Sequence, residues 1–339
     1  MIADADELEM RLSEPTSGVV ETLRRLDGDL ILLGVGGKMG PTLARMAKRA
    51  SDQAGVQRRV IGVSRFSSSE GEAKLNAHGV EIIRCDLLDE DAVARLPDVP
   101  NVVFMTGMKF GSMGNESLTW AMNAYLPGVI CKKYRHARIV AFSTGNVYGL
   151  VPVAGGGARE SDQLNPAGEY AMSCLGRERV FEHFSRTLDI PMTLIRLNYA
   201  CELRYGVLVD LAQRVWRDEP VDVSMGHFNI IWQGDANAMS LQAFDLAASP
   251  SVVINLTGPE VLRVRDVAKQ LGALMGKTPR FVGTEAATAL LSNAQRTLAR
   301  FGPPRVSADQ LLRWVADWVM RGGPTLGKPT HFESREGRF

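Results

Sequence analysis

One stretch constrains this chain more than any other: Leu30-Ile-Leu-Leu-Gly-Val-Gly-Gly-Lys-Met-Gly40, an apolar run that breaks into glycines. Leu30 to Leu33 reads as a buried strand. Pro41, then Leu43, Met46, Ala47 and Ala50, reads as a helix with proline in its first turn and one apolar face. A strand that turns into a helix within so few residues needs positions free of a Cβ. At the helix start, bare backbone N–H groups face outward at the positive end of the dipole, where a pyrophosphate can sit. The strict G-x-G-x-x-G spacing fails, because Met39 stands where the third glycine would follow Gly34 and Gly36. Gly34, Gly37 and Gly40 fit G-x-x-G-x-x-G instead. The plain alternative is a tight strand–helix turn without a ligand. The expectation is a dinucleotide-binding turn built from Gly34, Gly37, Lys38, Met39 and Gly40.

Downstream, β-rich apolar runs alternate with helical patterns. Strands are expected at Arg59–Ser64, Val80–Cys85, Asn101–Met105, Arg138–Ser143 and Met192–Leu197, and helices around Ser117–Lys133 and Tyr170–Leu188. This rhythm predicts an α/β fold, a doubly wound parallel Rossmann sheet with right-handed crossovers. After Leu197 it loosens into helix-rich segments with short strands, including Val253–Leu256. A smaller C-terminal substrate lobe is expected there, closing over the carboxyl ends of the strands. Residues 3–26 read as helical, interrupted by Pro15, and Ala154–Gly157 as a flexible loop. The expected division is a helical extension over 1–28, a dinucleotide-binding domain over 29–197 and the lobe over 198–339.

The balance of 39 Lys and Arg against 38 Asp and Glu, with no basic stripe, argues against nucleic acid or an anionic membrane as partner. No apolar run has the length of a membrane span. The start is acidic (Asp4, Asp6, Glu7, Glu9), unlike a secretory leader, so a cytoplasmic location is expected. The four cysteines lack C-x-x-C spacing and the five histidines lack H-x-x-H pairing, so neither a metal site nor a disulfide framework is expected.

Ser143-Thr-Gly-Asn-Val-Tyr-Gly149 follows the fifth strand, and with the glycine turn it resembles the extended short-chain dehydrogenase/reductase family, which includes nucleotide-sugar epimerases and dehydratases. The similarity runs from about Leu30 to the region of Trp318. Asp86-Leu-Leu-Asp89 resembles the family's acidic segment against the adenine, with Leu87 beside it. Thr106-Gly-Met-Lys109 resembles the Ala-Gly-Leu-Lys of UDP-galactose 4-epimerases, whose lysine approaches the cofactor; Gly107 falls within it. Asn123 sits where the family keeps a helix-bending asparagine. Arg196-Leu-Asn198 resembles the arginine–asparagine pair that ends the sixth strand, and Asn255-Leu-Thr-Gly258 a late Asn-x-x-Gly segment.

The resemblance implies roles. Thr144 aligns with the hydroxyl that bonds a substrate oxygen, Ser143 with its cofactor-side neighbour, and Tyr170 with the acid/base that also borders the cofactor. A free phenol has a pKa near 10 and needs a nearby cation to act as a base around neutral pH. The family's lysine lies four residues after the tyrosine, but Tyr170-Ala-Met-Ser-Cys174 has cysteine there. Three readings of Cys174 stand: a protein that keeps cofactor and has lost the reaction; another cation, Lys109 or Arg177, lowering the Tyr170 pKa; or a Cys174 thiolate with its own chemistry. Arg177 also reads as a solvated surface arginine, and Lys109 as a pyrophosphate ligand alone.

An acid at the end of the second strand would bind the ribose hydroxyls. Here Ser64 replaces it and Arg65 could pair a 2′-phosphate, which favours NADP(H), with NAD(H) as the alternative. On the substrate side, Asn198, Arg204 (a grip for carboxylate or phosphate) and Trp232 (a stacking surface) are candidates. Tyr205 and Trp216 read equally as lobe packing, and His227 as an ordinary hydrogen-bonding histidine. The expectation is an NAD(P)-dependent oxidoreductase, epimerase or dehydratase acting on a sugar or sugar acid. The alternatives are a silent NAD(P)-binding sensor, or a non-redox lyase or isomerase using Cys174 or His227. By resemblance a homodimer is expected, paired through helices 117–133 and 170–186, with Leu118, Ala121, Met122, Tyr125 and Val129 on one face.

Overall fold

The computed structural model describes residues 1–66, 69–109, 111 and 114–337. Its centre is a seven-stranded sheet: β1 (Leu30–Leu33), β2 (Val60–Ser64), β3 (Glu81–Arg84), β4 (Asn101–Phe104), β5 (Arg138–Thr144), β6 (Met192–Leu197) and β7 (Val252–Leu256). The spatial order is β7-β6-β5-β4-β1-β2-β3, and every pairing is parallel. All four residues of β1 are buried, as a parallel strand covered on both faces must be. The chain winds outward from β1 through β2 to β3, then crosses to β4 on the other side. That reversal opens a crevice at the carboxyl ends of β1 and β4.

The expected strands lie within a residue of their positions, with one correction of place. The strand expected in the C-terminal lobe, Val253–Leu256, is β7, the edge of the central sheet, in register with β6 from Val252↔Thr193 to Leu256↔Leu197. Its apolar alternation suits either site, and only pairing with β6 decides between them.

Two N-terminal helices, α1 (Ala5–Leu12) and α2 (Ser17–Arg25), flank Pro15. They start at Asp4 and Thr16, whose side chains accept from the backbone N–H of Glu7 and Val19. Helix α2 buries Val19 and Leu23 with the sheet core, whereas α1 buries Leu8 and Leu12 in the lobe's core. The extension thus ties the two together. The lobe core packs around α5 (Val207–Trp216), α6 (Val264–Met275) and α7 (Ala308–Met320), which follow α3 (Gly40–Gln53) and the long α4 (Gly168–Leu188).

The glycines of the turn are not equivalent. Gly34 has φ +93°, and a Cβ there would lie 2.6 Å from Thr106 Oγ1. A Cβ on Gly40 would lie 2.1 Å from the Val35 carbonyl oxygen, while one on Gly37 would meet only Gly34 O, at 3.5 Å. Gly40→Ala is therefore expected to cost roughly 2–3 kcal/mol of stability by overpacking, and Gly37→Ala less than about 1 kcal/mol. Urea unfolding of the two variants side by side checks the contrast; equal midpoints would refute it.

Candidate active site

A cleft of about 750 Å³ opens where the switch point places it, between the carboxyl ends of the sheet and the lobe. Its sheet wall carries Gly36, Gly37, Lys38, Lys109, Thr144 and Tyr170, and its lobe wall Asn198, Arg204 and Tyr205. The glycine turn and Tyr170, about 130 residues apart in the sequence, face one space.

Thr144 is the last residue of β5 and caps the turn Gly145–Tyr148, accepting from Asn146 N–H at 3.2 Å. Tyr170 stands in the first turn of α4. Its hydroxyl is hydrogen-bonded to the side chains of Thr144 and Cys174. Burial pushes that hydroxyl well above its ordinary pKa and the neighbouring Cys174 adds to the rise, while Arg177 and the Thr144 hydrogen bond work against it. Cys174 is fully buried beside Val147, Tyr148 and Ala158, and burial likewise pushes its thiol up, against the pull of Arg177. Lys109 Nζ lies 5.9 Å from the Tyr170 ring centroid, and burial first, then Lys38, presses its pKa down to about 8.

The loop carrying Lys109 is held by Asn123. The expected helix over 117–133 is broken there: Glu116–Trp120 and Leu126–Lys133 are α-helical, and Ala121–Tyr125 forms a π turn. Within that turn Asn123 Oδ1 accepts from Met108 N–H at 3.0 Å, and its Nδ2 donates to Met108 O at 3.0 Å and to Ser173 Oγ at 2.9 Å. Arg177 is not a solvated arginine. It is 5% exposed and donates to Phe142 O at 2.8 Å and to Asn123 Oδ1. It clamps α4, β5 and the Asn123 turn together.

Behind the cleft runs a buried polar chain that joins the motif residues Ser143, Tyr148, Arg196 and Asn255 through Glu178, which sequence reading did not single out. Ser143 Oγ donates to Glu178 Oε1 at 2.5 Å, and Arg196 pairs with Glu178 at 2.7 Å, both charges about 5% exposed or less. Arg196 Nη1 also donates to Tyr148 Oη, which donates to Asn255 Oδ1 at 2.7 Å. The available signal was a charged pair, Arg177-Glu178, on a helix face that also buries Cys174 and Phe181.

Of the residues expected to hold a dinucleotide, Gly37, Lys38, Met39, Gly107, Lys109, Ser143 and Tyr170 line the cleft, while Ser64, Arg65, Asp86 and Leu87 lie outside its lining, at and beyond the ends of β2 and β3. The turn ends in the start of α3, whose first N–H groups lack helical partners. Thr106 Oγ1 is buried above Gly34 without a hydrogen-bond partner among the described residues. A Cβ on Gly36 would come within 2.6 Å of Ser64 Oγ, so the turn lies directly on the end of β2. Arg65 and Asp86, at the ends of neighbouring strands, form an exposed 3.9 Å ion pair, and Leu87 is buried next to them. These residues fit a dinucleotide phosphate.

On the lobe side, Arg204 borders the cleft but is already paired with Glu202 at 3.2 Å and Glu9 at 3.0 Å. Asn198 is buried and bonds Asn229 and Leu290 O at 3.4 Å. Trp232 is not a stacking surface. It is 3% exposed in the lobe core, edge-on to Trp314 at 5.5 Å. His227 lies outside the cleft, in a ribbon with Arg263. Sequence reading missed Glu9 of the extension and Lys328 and Thr330 of the C-terminal segment, all of which line the cleft. Among the described residues no cluster of three His, Cys, Asp or Glu side chains could hold a metal, and no helix is long and apolar enough to cross a membrane.

No curated protein matches this sequence. Among solved structures, UDP-glucose 4-epimerase from Thermotoga maritima superposes with a TM-score of 0.70 at 18% identity, over 87% of this chain and 99% of that one. UDP-glucuronic acid 4-epimerase from Bacillus cereus, solved with UDP-glucuronic acid and NAD, gives 0.71 at 17% identity, over 86% and 99%. dTDP-glucose 4,6-dehydratase from Bacillus anthracis, solved with NAD, gives 0.71 at 16%, over 87% and 97%. At such identities the likeness is one of fold. Residues 30–201, from the glycine turn through Thr144, Tyr170 and Asn198 to the first strand of the lobe, match the family model directly, and the chain belongs to the NAD dependent epimerase/dehydratase family.

Proposed function

We propose that this protein is an NAD(P)-dependent epimerase, dehydratase or oxidoreductase acting at a carbinol carbon of a sugar or sugar-acid derivative, with Lys109 standing in for the lysine that position 174 lacks. The observation that carries it is the convergence of Thr144, Tyr170 and Lys109 on the cleft that holds the glycine turn. A bound nicotinamide dinucleotide supplies the hydride acceptor. Thr144 orients the substrate hydroxyl, and Tyr170 Oη, once its own proton has passed to solvent, takes the hydroxyl proton as hydride leaves the carbinol carbon and the carbonyl forms, and returns it in the reverse step. The Lys109 ammonium draws the phenol's proton affinity down when substrate and cofactor are in place.

Lys109 is charged below about pH 8 and neutral above it. Turnover is accordingly expected to fall as pH rises through that value. Lys109→Met should flatten this limb and lower kcat by about 10²-fold, the low end of acid–base effects. Absorbance at 340 nm with each nicotinamide cofactor and a panel of sugars and sugar acids tests the function. A silent spectrum with tight cofactor binding would favour the second reading, a sensor without turnover. The raised phenol of Tyr170, bonded to Cys174, supports that reading.

For the cofactor, Ser64 and Arg65 at the end of β2 support NADP(H) over NAD(H). The exposed pair of Arg65 with Asp86 is weak enough to be exchanged for a 2′-phosphate. Leu118, Tyr125 and Met172, exposed on adjoining helices, support pairing of two copies.

A further inference from the structure

We propose that Lys38 and Lys109 together seat a negative charge carried by the sugar itself, a carboxylate or a phosphate, so that the cleft selects an acidic sugar over its neutral counterpart. The inference rests on the sugar-modifying function proposed above and narrows its substrate class.

Lys38 springs from the glycine turn but does not fold back on it. Its Nζ donates to Ala200 O at 2.8 Å and lies 3.7 Å from the Tyr205 ring centroid, both on the lobe wall. The turn's backbone N–H groups are thus left to the dinucleotide phosphates, and the Lys38 charge stands on the substrate side. Among the described residues no carboxylate pairs with it. Glu202 and Glu9 are committed to Arg204, and Asp210 accepts from Thr330 N–H at 2.8 Å and from Thr330 Oγ1 at 2.6 Å. A carbonyl dipole and an aromatic face compensate a half-buried ammonium only in part. Burial presses Lys38 down to about 8, as it does Lys109, and Lys38 is the second cause of the Lys109 shift. Both lysines line the same cleft, and an anion bound there would offset the charge that Lys38 presents to it. Because Lys109 adjoins Tyr170, the charge so held belongs to the sugar being turned over and not to a distant nucleotide.

The test is calorimetric titration of the full-length protein loaded with NAD(P)⁺, using UDP-glucuronic acid against UDP-glucose, and glucose 6-phosphate against glucose. At least one acidic member should bind about tenfold or more tighter than its neutral partner, the scale of a charge-assisted hydrogen bond. Which pair shows the difference separates a carboxylate source from a phosphate source. Lys38→Met should bring that pair within about twofold, and Lys38→Arg, which keeps the charge, should retain most of the preference. Equal binding within both pairs, a preference that survives in Lys38→Met, or no binding of either acidic probe would overturn the proposal. Because binding is read without turnover, a silent 340 nm spectrum with the preference intact would sink the hydride chemistry alone.

Discussion

Tyr170→Phe should lower kcat by about 10³-fold, the middle of the range for a positioned acid/base, while leaving the unfolding transition nearly unchanged. The two expectations separate because the ring and the hydroxyl do different things. The ring packs with Val147, Tyr148 and Cys174 and is kept in phenylalanine. The hydroxyl, bonded to Thr144 and Cys174, is the group proposed to exchange a proton with substrate. Its loss leaves a threonine hydroxyl that faces the cleft and a thiol that is a weak donor, so little is stranded in the core. Single-turnover absorbance at 340 nm, with thermal melts of both proteins, measures the two effects. Undiminished turnover in the variant would mean that Tyr170 carries no proton.

The largest stability effect is expected behind the cleft. Arg196→Met removes the only salt-bridge partner that Glu178 has among the described residues, at a site where both side chains are about 5% exposed or less. The carboxylate keeps the Ser143 hydroxyl at 2.5 Å but loses its countercharge in a medium that solvates it poorly. Breaking such a pair from one side costs about 3–5 kcal/mol. Arg196→Met combined with Glu178→Gln should recover a large part of that loss, because no net charge is then left buried. Urea denaturation of the single and double variants checks both statements. A double variant as unstable as the sum of its parts would show that packing, not charge, sets the cost. The same lesion should reach the cleft, since Ser143 adjoins Thr144 on β5.

Local chemistry made much of this protein legible in advance. The strand–glycine–helix turn follows from which residues tolerate Gly34's positive φ and the 2.1 Å approach that any Cβ on Gly40 would make to Val35 O. The six sheet strands expected by residue 197 were legible from short-range apolar runs, and the Thr144, Tyr170 and Cys174 positions from motif spacing along single elements. Asn123 was placed as a helix-bending residue, and the π turn is the form that bend takes.

Contacts between residues far apart in the sequence decided the rest. Val252–Leu256 could serve a lobe or a sheet until it met β6. Trp232 could stack on a ligand until Trp314 covered it, and Arg177 could be solvated until Asn123 and Phe142 O closed around it. Lys38 reaches Ala200, 162 residues away, and Arg204 is held by Glu9, 195 residues before it. Sequence spacing reports the conformation of a short segment because neighbouring residues share one backbone path. Where a long charged side chain ends, and whether its charge is buried, depends on which distant segments fold against it. The amino-acid sequence by itself determined that a strand breaks into glycines and a helix at Leu30–Ala50 and that cysteine stands four residues after Tyr170; the tertiary structure alone decided that Lys109 and Lys38 stand in the same cleft.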